Sequence, residues 1–265
     1  MTLSVHNAIA YDVMPDAVLL DTDNTLYPYD PAHRAAMAAA KAKAAQLFSL
    51  GEPEFDRAFN SARSEVKARL TGTASSHSRL LYFQRMLEII GLGSQVLLAL
   101  DLEQTYWRTF LGNAQLFKGL REFLDELRLV GVPTAVVTDL TAQIQFRKIV
   151  YFGLDHYFDF IVTSEEAGFD KPHLAPFQIA AEKMQARGKC IWMIGDNSET
   201  DIKGAKDELQ AITFQKIHDG VSINDANGQP DVTFENFGEL RDFLLEVAGR
   251  TKVMQLRARR ELTQL

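Results

Sequence analysis

The sequence predicts a doubly wound α/β fold, a parallel sheet with helices on both faces, interrupted after its first strand by an all-helical insertion. Three observations carry this reading. Short apolar runs that end in polar residues recur along the chain, amphipathic helical patterns separate most of them, and the stretch 28–113 contains helical patterns without a convincing strand. Continuous apolar runs suit strands covered on both faces, and alternation with helices is the mark of parallel βαβ units.

In chain order, the first run is Ala17-Val18-Leu19-Leu20, which stops at Asp21. The insertion follows, with helical patterns over 33–50, 54–70, 78–90 and 94–110; the link 71–76 (Thr-Gly-Thr-Ala-Ser-Ser) reads as a flexible joint between the second and third. Leu120, Phe123, Leu124, Leu127 and Val130 then recur at helical spacing over 118–130, and Gly131 stops that helix. Thr134-Ala135-Val136-Val137 ends at Thr138, and further runs lie at 160–162, 190–194, 211–214 and 232–234. Asn236 is placed to cap a last helix carrying Phe237, Leu240, Phe243, Leu244 and Val247. The segment 251–265 reads as a basic, solvated tail. Domain limits follow: an α/β core over 1–27 and 114–250, and a helical unit over 28–113.

Composition narrows the functions. With 46% hydrophobic and 24% charged residues over 265 positions, the chain can bury a sizeable core and is neither fibrous nor disordered. A net charge of −7 argues against a nucleic-acid polymer as partner, which calls for clustered Lys and Arg. No run approaches the roughly 20 apolar residues of a membrane helix, and Met1 to Asp16 lacks a basic leader, so no membrane partner and no secretory signal are expected. The lone Cys190 sits in an apolar run and reads as an inert thiol in a reducing, cytoplasmic setting. A monomer or homodimer is expected.

Four strand or loop ends carry possible chemistry, since ligands of open α/β sheets bind beyond the carboxyl ends of the strands. Asp21-Thr22-Asp23-Asn24-Thr25 offers a nucleophilic carboxylate and, two residues on, an acid/base; the same residues also suit an ordinary turn. Thr138, with Asp139 after it, can hold a phosphoryl oxygen through its hydroxyl and nearby N–H groups, although Thr is common in strands for packing alone. Lys171-Pro172 puts a cation at a loop or helix entrance, where it either neutralises a phosphate or is merely solvated. Gly195-Asp196-Asn197-Ser198-Glu199-Thr200-Asp201 bunches hard oxygen ligands that suit magnesium, or builds a turn with a helix cap. Together they make one consistent site: metal and lysine offset the carboxylate charge that would repel a phosphate.

In this order the four segments resemble the four signature motifs of the haloacid dehalogenase-like superfamily, in the subgroup with a helical cap and a Rossmann-like core. The resemblance implies Asp21 as nucleophile, Asp23 as general acid/base, Thr138 as phosphate-binding hydroxyl with Asp139 beside it, and Lys171 as the third-motif lysine. It implies Mg²⁺ as cofactor, held at Asp21, at Asp23 through its backbone carbonyl, at Asp196, and at Asp201 either directly or through a neighbour. Asn24 stands where the commonest family form has Gly, and Asn tolerates the left-handed backbone. Asp139 stands where Asn is more usual.

The implied function is a magnesium-dependent phosphomonoesterase acting through an aspartyl-phosphate on a small phosphorylated metabolite. The stretch Asp21 to Tyr27 resembles pyrimidine 5′-nucleotidase-like members and puts a nucleoside 5′-monophosphate first, with a sugar phosphate or phosphoglycolate next. A 2-haloacid dehalogenase, a phosphosugar mutase and a non-catalytic receiver-like module are the alternatives; Asp23 and the acid cluster speak against the first, and the long insertion against the last. For selectivity the candidates are Tyr27, Tyr29, His77, Ser78 and Arg79. Arg79 either pairs with a carboxylate or second phosphate or is a helix-surface arginine. Tyr82 and Phe83 read as core of the insertion, and His6, His33, His156, His173 and His218 receive no role.

Overall fold

The computed structural model describes residues 3–219, 221 and 228–262, with side chains of the last helix described as far as Lys252. Seven strands form one sheet: β1 (Ser4–Val5), β2 (Ala17–Leu20), β3 (Thr134–Thr138), β4 (Phe160–Thr163), β5 (Ile191–Gly195), β6 (Ile212–Lys216) and β7 (Val232–Phe234), in the order β1-β7-β6-β5-β2-β3-β4. All neighbours run parallel except β1, which pairs antiparallel with β7 along the edge. From β2 the chain proceeds to β3 and β4 on one side, then crosses back to β5 on the other. The carboxyl end of β2 is therefore the switch point of the sheet, where such folds open a crevice.

The unbroken apolar runs have a simple cause. Val18 and Leu20 pack with Trp192, Ile194 and Phe214 on one face, whereas Ala17 and Leu19 pack with Ala135, Val137 and Met193 on the other. Each side of β2 meets its own core, so no position along the strand can be polar until the strand ends. The doubly wound α/β architecture predicted from the sequence is present. Strand β1 escaped prediction because two residues leave no periodicity to read.

The insertion after β2 is built of four helices: α1 (Tyr29–Phe48), α2 (Glu52–Arg69), α3 (Arg79–Ile89) and α4 (Val96–Asn113). In α1, Ala32, Ala36, Ala40 and Ala44 are wholly buried at intervals of four, a smooth stripe that lets α4 approach closely. Tyr82 and Phe83 are fully buried in this unit, as expected of its core. The link 71–76 is not a free joint. Gly72 accepts a hydrogen bond from the Asp170 N–H at 2.9 Å, and Ala74 and Ser76 are buried in a 3₁₀ turn at Ala74–His77. Its small polar residues and Gly72, with φ of 74°, let the chain turn down onto the sheet end.

The remaining helices are α5 (Leu120–Leu129), α6 (Ala142–Tyr151), α7 (Ser164–Ala167), α8 (Leu174–Lys183), α9 (Gly204–Leu209) and α10 (Phe237–Leu262). Asn236 caps α10 through its Oδ1, which accepts from the Glu239 N–H at 2.9 Å. The backbone of α10 runs on through most of the segment read as a basic tail, whose side chains beyond Lys252 and whose residues 263–265 lie outside the described residues. No helix among the described residues is long and apolar enough to cross a membrane.

Candidate active site

Asp21 is the first residue after β2, and its N–H donates to the Ile194 carbonyl at 2.9 Å, so it continues the ladder for one residue before the chain turns. The strand thus aims a carboxylate out of the sheet end. Lys171 meets it there: its Nζ donates to Asp21 Oδ1 at 2.7 Å, to Asp201 Oδ1 at 2.6 Å and to the Val137 carbonyl at 3.0 Å. All three donors of the ammonium are used, and its side chain is only 3% exposed. Burial works against the lysine charge, but Asp201 and Asp21 outweigh it and hold the amine well above the usual lysine range. Burial also dominates for the acids. It lifts Asp21 to about 6 despite Lys171 beside it, and raises Asp201 and Asp196 above ordinary carboxylates.

The acid cluster is built by a tight turn. Asn197 caps a π-turn at Ser198–Lys203 by accepting from Glu199 and Thr200 N–H groups at 2.9 and 3.0 Å, and Asp201 Oδ2 reaches back to the Asn197 N–H at 3.1 Å. Of the two readings of this segment, Asn197 is the cap, and Asp201 braces the turn while gripping Lys171. Asp196 is fixed by its backbone, whose carbonyl accepts from Gln215 Nε2 at 2.9 Å, and by His218, whose Nε2 lies 3.5 Å from its Oδ2.

Oxygens of Asp21, Asp196 and Asp201 lie within 4.8 Å of one another. Two buried carboxylates and the half-buried Asp196 beside one lysine leave an excess of negative charge, and hard oxygen donors are what magnesium takes. The donor set therefore fits a divalent cation.

Gly195 explains why this motif opens with glycine. A Cβ there would fall 2.5 Å from both Cβ and Oδ2 of Asp201, closer than atoms can approach. Gly195→Ala is expected to push Asp201 off Lys171, lowering thermal stability by roughly 1–3 kcal/mol and activity more than tenfold. Calorimetry and a phosphate-release assay check both; a variant with wild-type stability and turnover would contradict the account.

Asp23 lies two residues beyond Asp21 and lines the same crevice. Lys148 Nζ, from α6, bonds both of its oxygens at 2.7 and 2.9 Å, and the Tyr27 hydroxyl donates to its Oδ1. Lys148 is 1% exposed against 34% for Asp23, so a buried cation holds a carboxylate that still meets solvent. Asn24 has the left-handed φ of 62° that the turn requires, and its Oδ1 accepts from the Tyr29 N–H to start α1.

Thr138 closes β3, and its hydroxyl lies 2.7 Å from Thr22 Oγ1 and accepts from Gln145 Nε2 at 2.9 Å. Asp139 Oδ1 accepts from the Lys171 N–H at 2.9 Å, which positions the lysine backbone. Burial raises this carboxyl too. Leu140 follows at φ 91°, an unfavourable conformation for a branched residue, where the chain must bend sharply around the site.

A crevice of about 320 Å³ lies between these residues and the helical insertion. Its floor is Asp21, Asp23, Thr138, Asp139, Lys171, Asp196 and Asp201; facing them are Tyr29, Arg63, Lys67, His77, Arg79 and Trp107. His77 is held by Asp170, Nε2 to Oδ2 at 3.1 Å. Arg79 is not a helix-surface residue: it turns inward, donating to the His77 carbonyl at 2.8 Å and to the Tyr29 hydroxyl. Two of the other candidates lie apart from this lining. Ser78 caps α3 by accepting from the Leu81 N–H, and Tyr27 is buried against Asp23 and Phe152. Arg63, Lys67, Lys148, Gln145 and His218 were missed by sequence reasoning. Arg63 and Lys67 carried one signal, a spacing of four that puts both on one face of α2; the other three are brought in only by the fold. Cys190 lies away from this crevice, and burial pushes its thiol up to about 11, so it is unreactive.

The sequence model of the haloacid dehalogenase-like hydrolase family matches residues 15–207. A ribulose-1,5-bisphosphate 5-phosphatase from Halopiger xanaduensis is 36% identical over 238 residues, covering 87% of this chain and all of its own. A glyceraldehyde 3-phosphate phosphatase from Methanopyrus kandleri is 29% identical over 243 residues, covering 89% and 99%. Among solved structures, a 2-haloacid dehalogenase from Pseudomonas syringae superposes with a TM-score of 0.70 at 22% identity, covering 88% of this chain and 99% of its own; a phosphatase from Thermococcus onnurineus does so with 0.66 at 21%, covering 86% and 97%. At such identities the structural likeness speaks to fold alone.

Proposed function

The chain belongs to the haloacid dehalogenase-like hydrolases, and from that premise we propose that it is a magnesium-dependent phosphatase of a small phosphorylated metabolite, with Asp21 as phosphoryl acceptor. The observation that carries this is Lys171, bonded at once to Asp21 and Asp201 at the switch point of the sheet with Asp196 alongside. A site with this much buried negative charge needs a cation before it can admit a phosphate. Asp21 and Asp196, with the backbone carbonyl of Asp23, would hold magnesium, and Asp201 would support it while anchoring Lys171. When bound, the ion neutralises charge on the phosphoryl oxygens and orients them towards the nucleophile.

The residues then divide the work. One Asp21 oxygen attacks phosphorus as the bond to the leaving alkoxide breaks, and Asp23 gives that alkoxide its proton. Water next attacks phosphorus, Asp23 takes its proton, and the Asp21–phosphorus bond breaks to release inorganic phosphate. Lys171 holds Asp21 in place and its charge offsets that of the incoming phosphoryl group, and the hydroxyl of Thr138, once turned to the substrate, donates to a phosphoryl oxygen. Lys148 keeps Asp23 in place as a positioning residue.

We read 28–113 as the cap that selects the substrate. Relatives acting on sugar phosphates, a crevice at the small end of ligand pockets and full burial of Tyr82 and Phe83 favour a compact sugar phosphate over a nucleoside 5′-monophosphate. The latter remains the comparison substrate in any screen.

The test uses leaving groups. Phosphate release is expected to require magnesium and to vanish with chelator. In kcat/KM, which reports the steps up to departure of the alcohol and not the later hydrolysis that both esters share, Asp23→Asn should reduce an alkyl ester such as ribose 5-phosphate by roughly 10²–10⁴, but p-nitrophenyl phosphate far less, because p-nitrophenolate departs without a proton. Metal-independent release, or equal losses on both esters, would refute these roles.

A further inference from the structure

We propose that the cationic roof of the crevice, Arg63 and Lys67 of α2 with Arg79 of α3, is a subsite for a second anionic group of the substrate, so that the preferred metabolite carries a phosphate to be cleaved and another phosphate or a carboxylate beyond it. This rests on the reading of Asp21 as the phosphoryl acceptor.

Arg63 and Lys67 are four residues apart and so share one face of α2, where like charges repel. Both line the crevice with Arg79. Among the described residues no carboxylate forms an ion pair with any of the three: Glu65, which lies between the first two in sequence, is taken by Arg85 at 2.7 Å, and Asp170 by His77. Arg63 meets the neutral Tyr82, and Arg79 has carbonyl and phenol oxygens, with its buried Nε without a partner among the described residues. Burial and the charges of Arg63 and Arg79 hold the Lys67 amine below the usual lysine range, and burial with Arg79 lowers His33 to about 4, leaving it neutral. The cations therefore stand close together with Asp170 as a counter-charge to Lys67 beyond ion-pair contact, facing a floor whose lysine is already saturated by Asp21 and Asp201.

A monophosphate on that floor is matched by the cation that the carboxylates would hold, leaving the roof unmatched. A compact substrate with anions at both ends satisfies floor and roof together. Charge-assisted contacts of this kind contribute about 1.5–3 kcal/mol each, or roughly ten- to a hundredfold in affinity.

The experiment compares ribulose 1,5-bisphosphate, phosphoglycolate, ribose 5-phosphate and p-nitrophenyl phosphate on the wild type, Arg63→Met, Lys67→Met and the charge-keeping Arg63→Lys. The expected result is at least a tenfold preference in kcat/KM for one of the doubly anionic esters over ribose 5-phosphate. Each Met variant should lose at least ten times more on that ester than on p-nitrophenyl phosphate, mostly in KM, and Arg63→Lys should recover most of the loss. Bisphosphate preference identifies a phosphate site, and phosphoglycolate preference a carboxylate site. Equal losses on all esters, or no preference in the wild type, overturn the proposal. Calorimetric binding of the same compounds to Asp21→Asn, with and without Arg63→Met, separates it from the hydrolytic reading. Selective binding without turnover in the wild type would leave the subsite standing and remove the chemistry; turnover without selective binding would do the reverse.

Discussion

Asp21→Asn is expected to lower phosphate release by roughly 10⁴-fold or more, the scale seen when a nucleophile is removed from an otherwise intact site, and at the same time to make the metal-free protein more stable. Both halves come from the same geometry. Asn keeps the size of Asp and can still accept from Lys171, so the β2 end and the Lys171–Asp201 pair survive. What disappears is one of the two buried carboxylates that share Lys171. Burial raises Asp21 from 3.8 to about 6, so at pH 7 it is ionised in both states but less comfortably in the folded one. Such a group contributes stability below the unfolded value and loses it as pH rises through the folded one, so at pH 7 the wild type bears the full cost. Removing the charge should return roughly 1–3 kcal/mol, a rise of several degrees in Tm in chelator. Magnesium should narrow the gap by binding the wild type more tightly. An inactive variant with lowered Tm would mean that Asp21 serves chiefly the fold; an active one would end its assignment as nucleophile.

The trade of stability for a poised charge also explains what could be read from sequence. The strands on which the site hangs were legible because burial on two faces forbids polar residues until the strand ends, and the polar residues there then stand out: Asp21, Thr138 and Asp196 each follow or end such a run. Lys171 stood out only in company, since a lysine before a proline is unremarkable until a carboxylate pair needs it. The partners that set the chemistry were hidden. Lys148 lies on α6, 125 positions from Asp23, and nothing in its local sequence says that it turns inward. Asp139 drew notice only through its place after Thr138, and nothing local says that its Oδ1 accepts from the Lys171 N–H. The segment 71–76 looked loose because Gly, Ser and Thr are common in loops. Here the same small residues permit close docking, and they deliver His77 and Arg79 to the crevice.

Lys171→Met should be the single change most damaging to stability, with a large loss of activity beside it. The side chain keeps its length, so packing against the sheet end is largely retained, but Asp21 and Asp201 lose the only cation within bonding distance of either among the described residues. Breaking a buried ion pair from one side costs about 3–5 kcal/mol, on the order of 10 °C in Tm for a chain of this size. The two carboxylates, already raised by burial, then rise further because the charge that lowers them is gone. The sign of the pH dependence follows. With folded-state values above the unfolded 3.8, the carboxylates bind extra protons in the folded state, so the penalty is small near pH 4, grows as pH rises through their folded values and is complete above them. In chelator, the Tm deficit of Lys171→Met relative to wild type should therefore be larger at pH 8 than at pH 5. Turnover should fall at least 10³-fold near pH 6, where Asp21 would be held protonated and unable to attack, and recover in part as pH is raised with saturating magnesium, whose charge replaces some of what the lysine supplied. A deficit that shrinks with rising pH would mean that the lysine stabilises the fold through its aliphatic stem. Unchanged activity would show that the carboxylates at this sheet end are neutralised by some other group, and the reading of the site would have to begin again from that group.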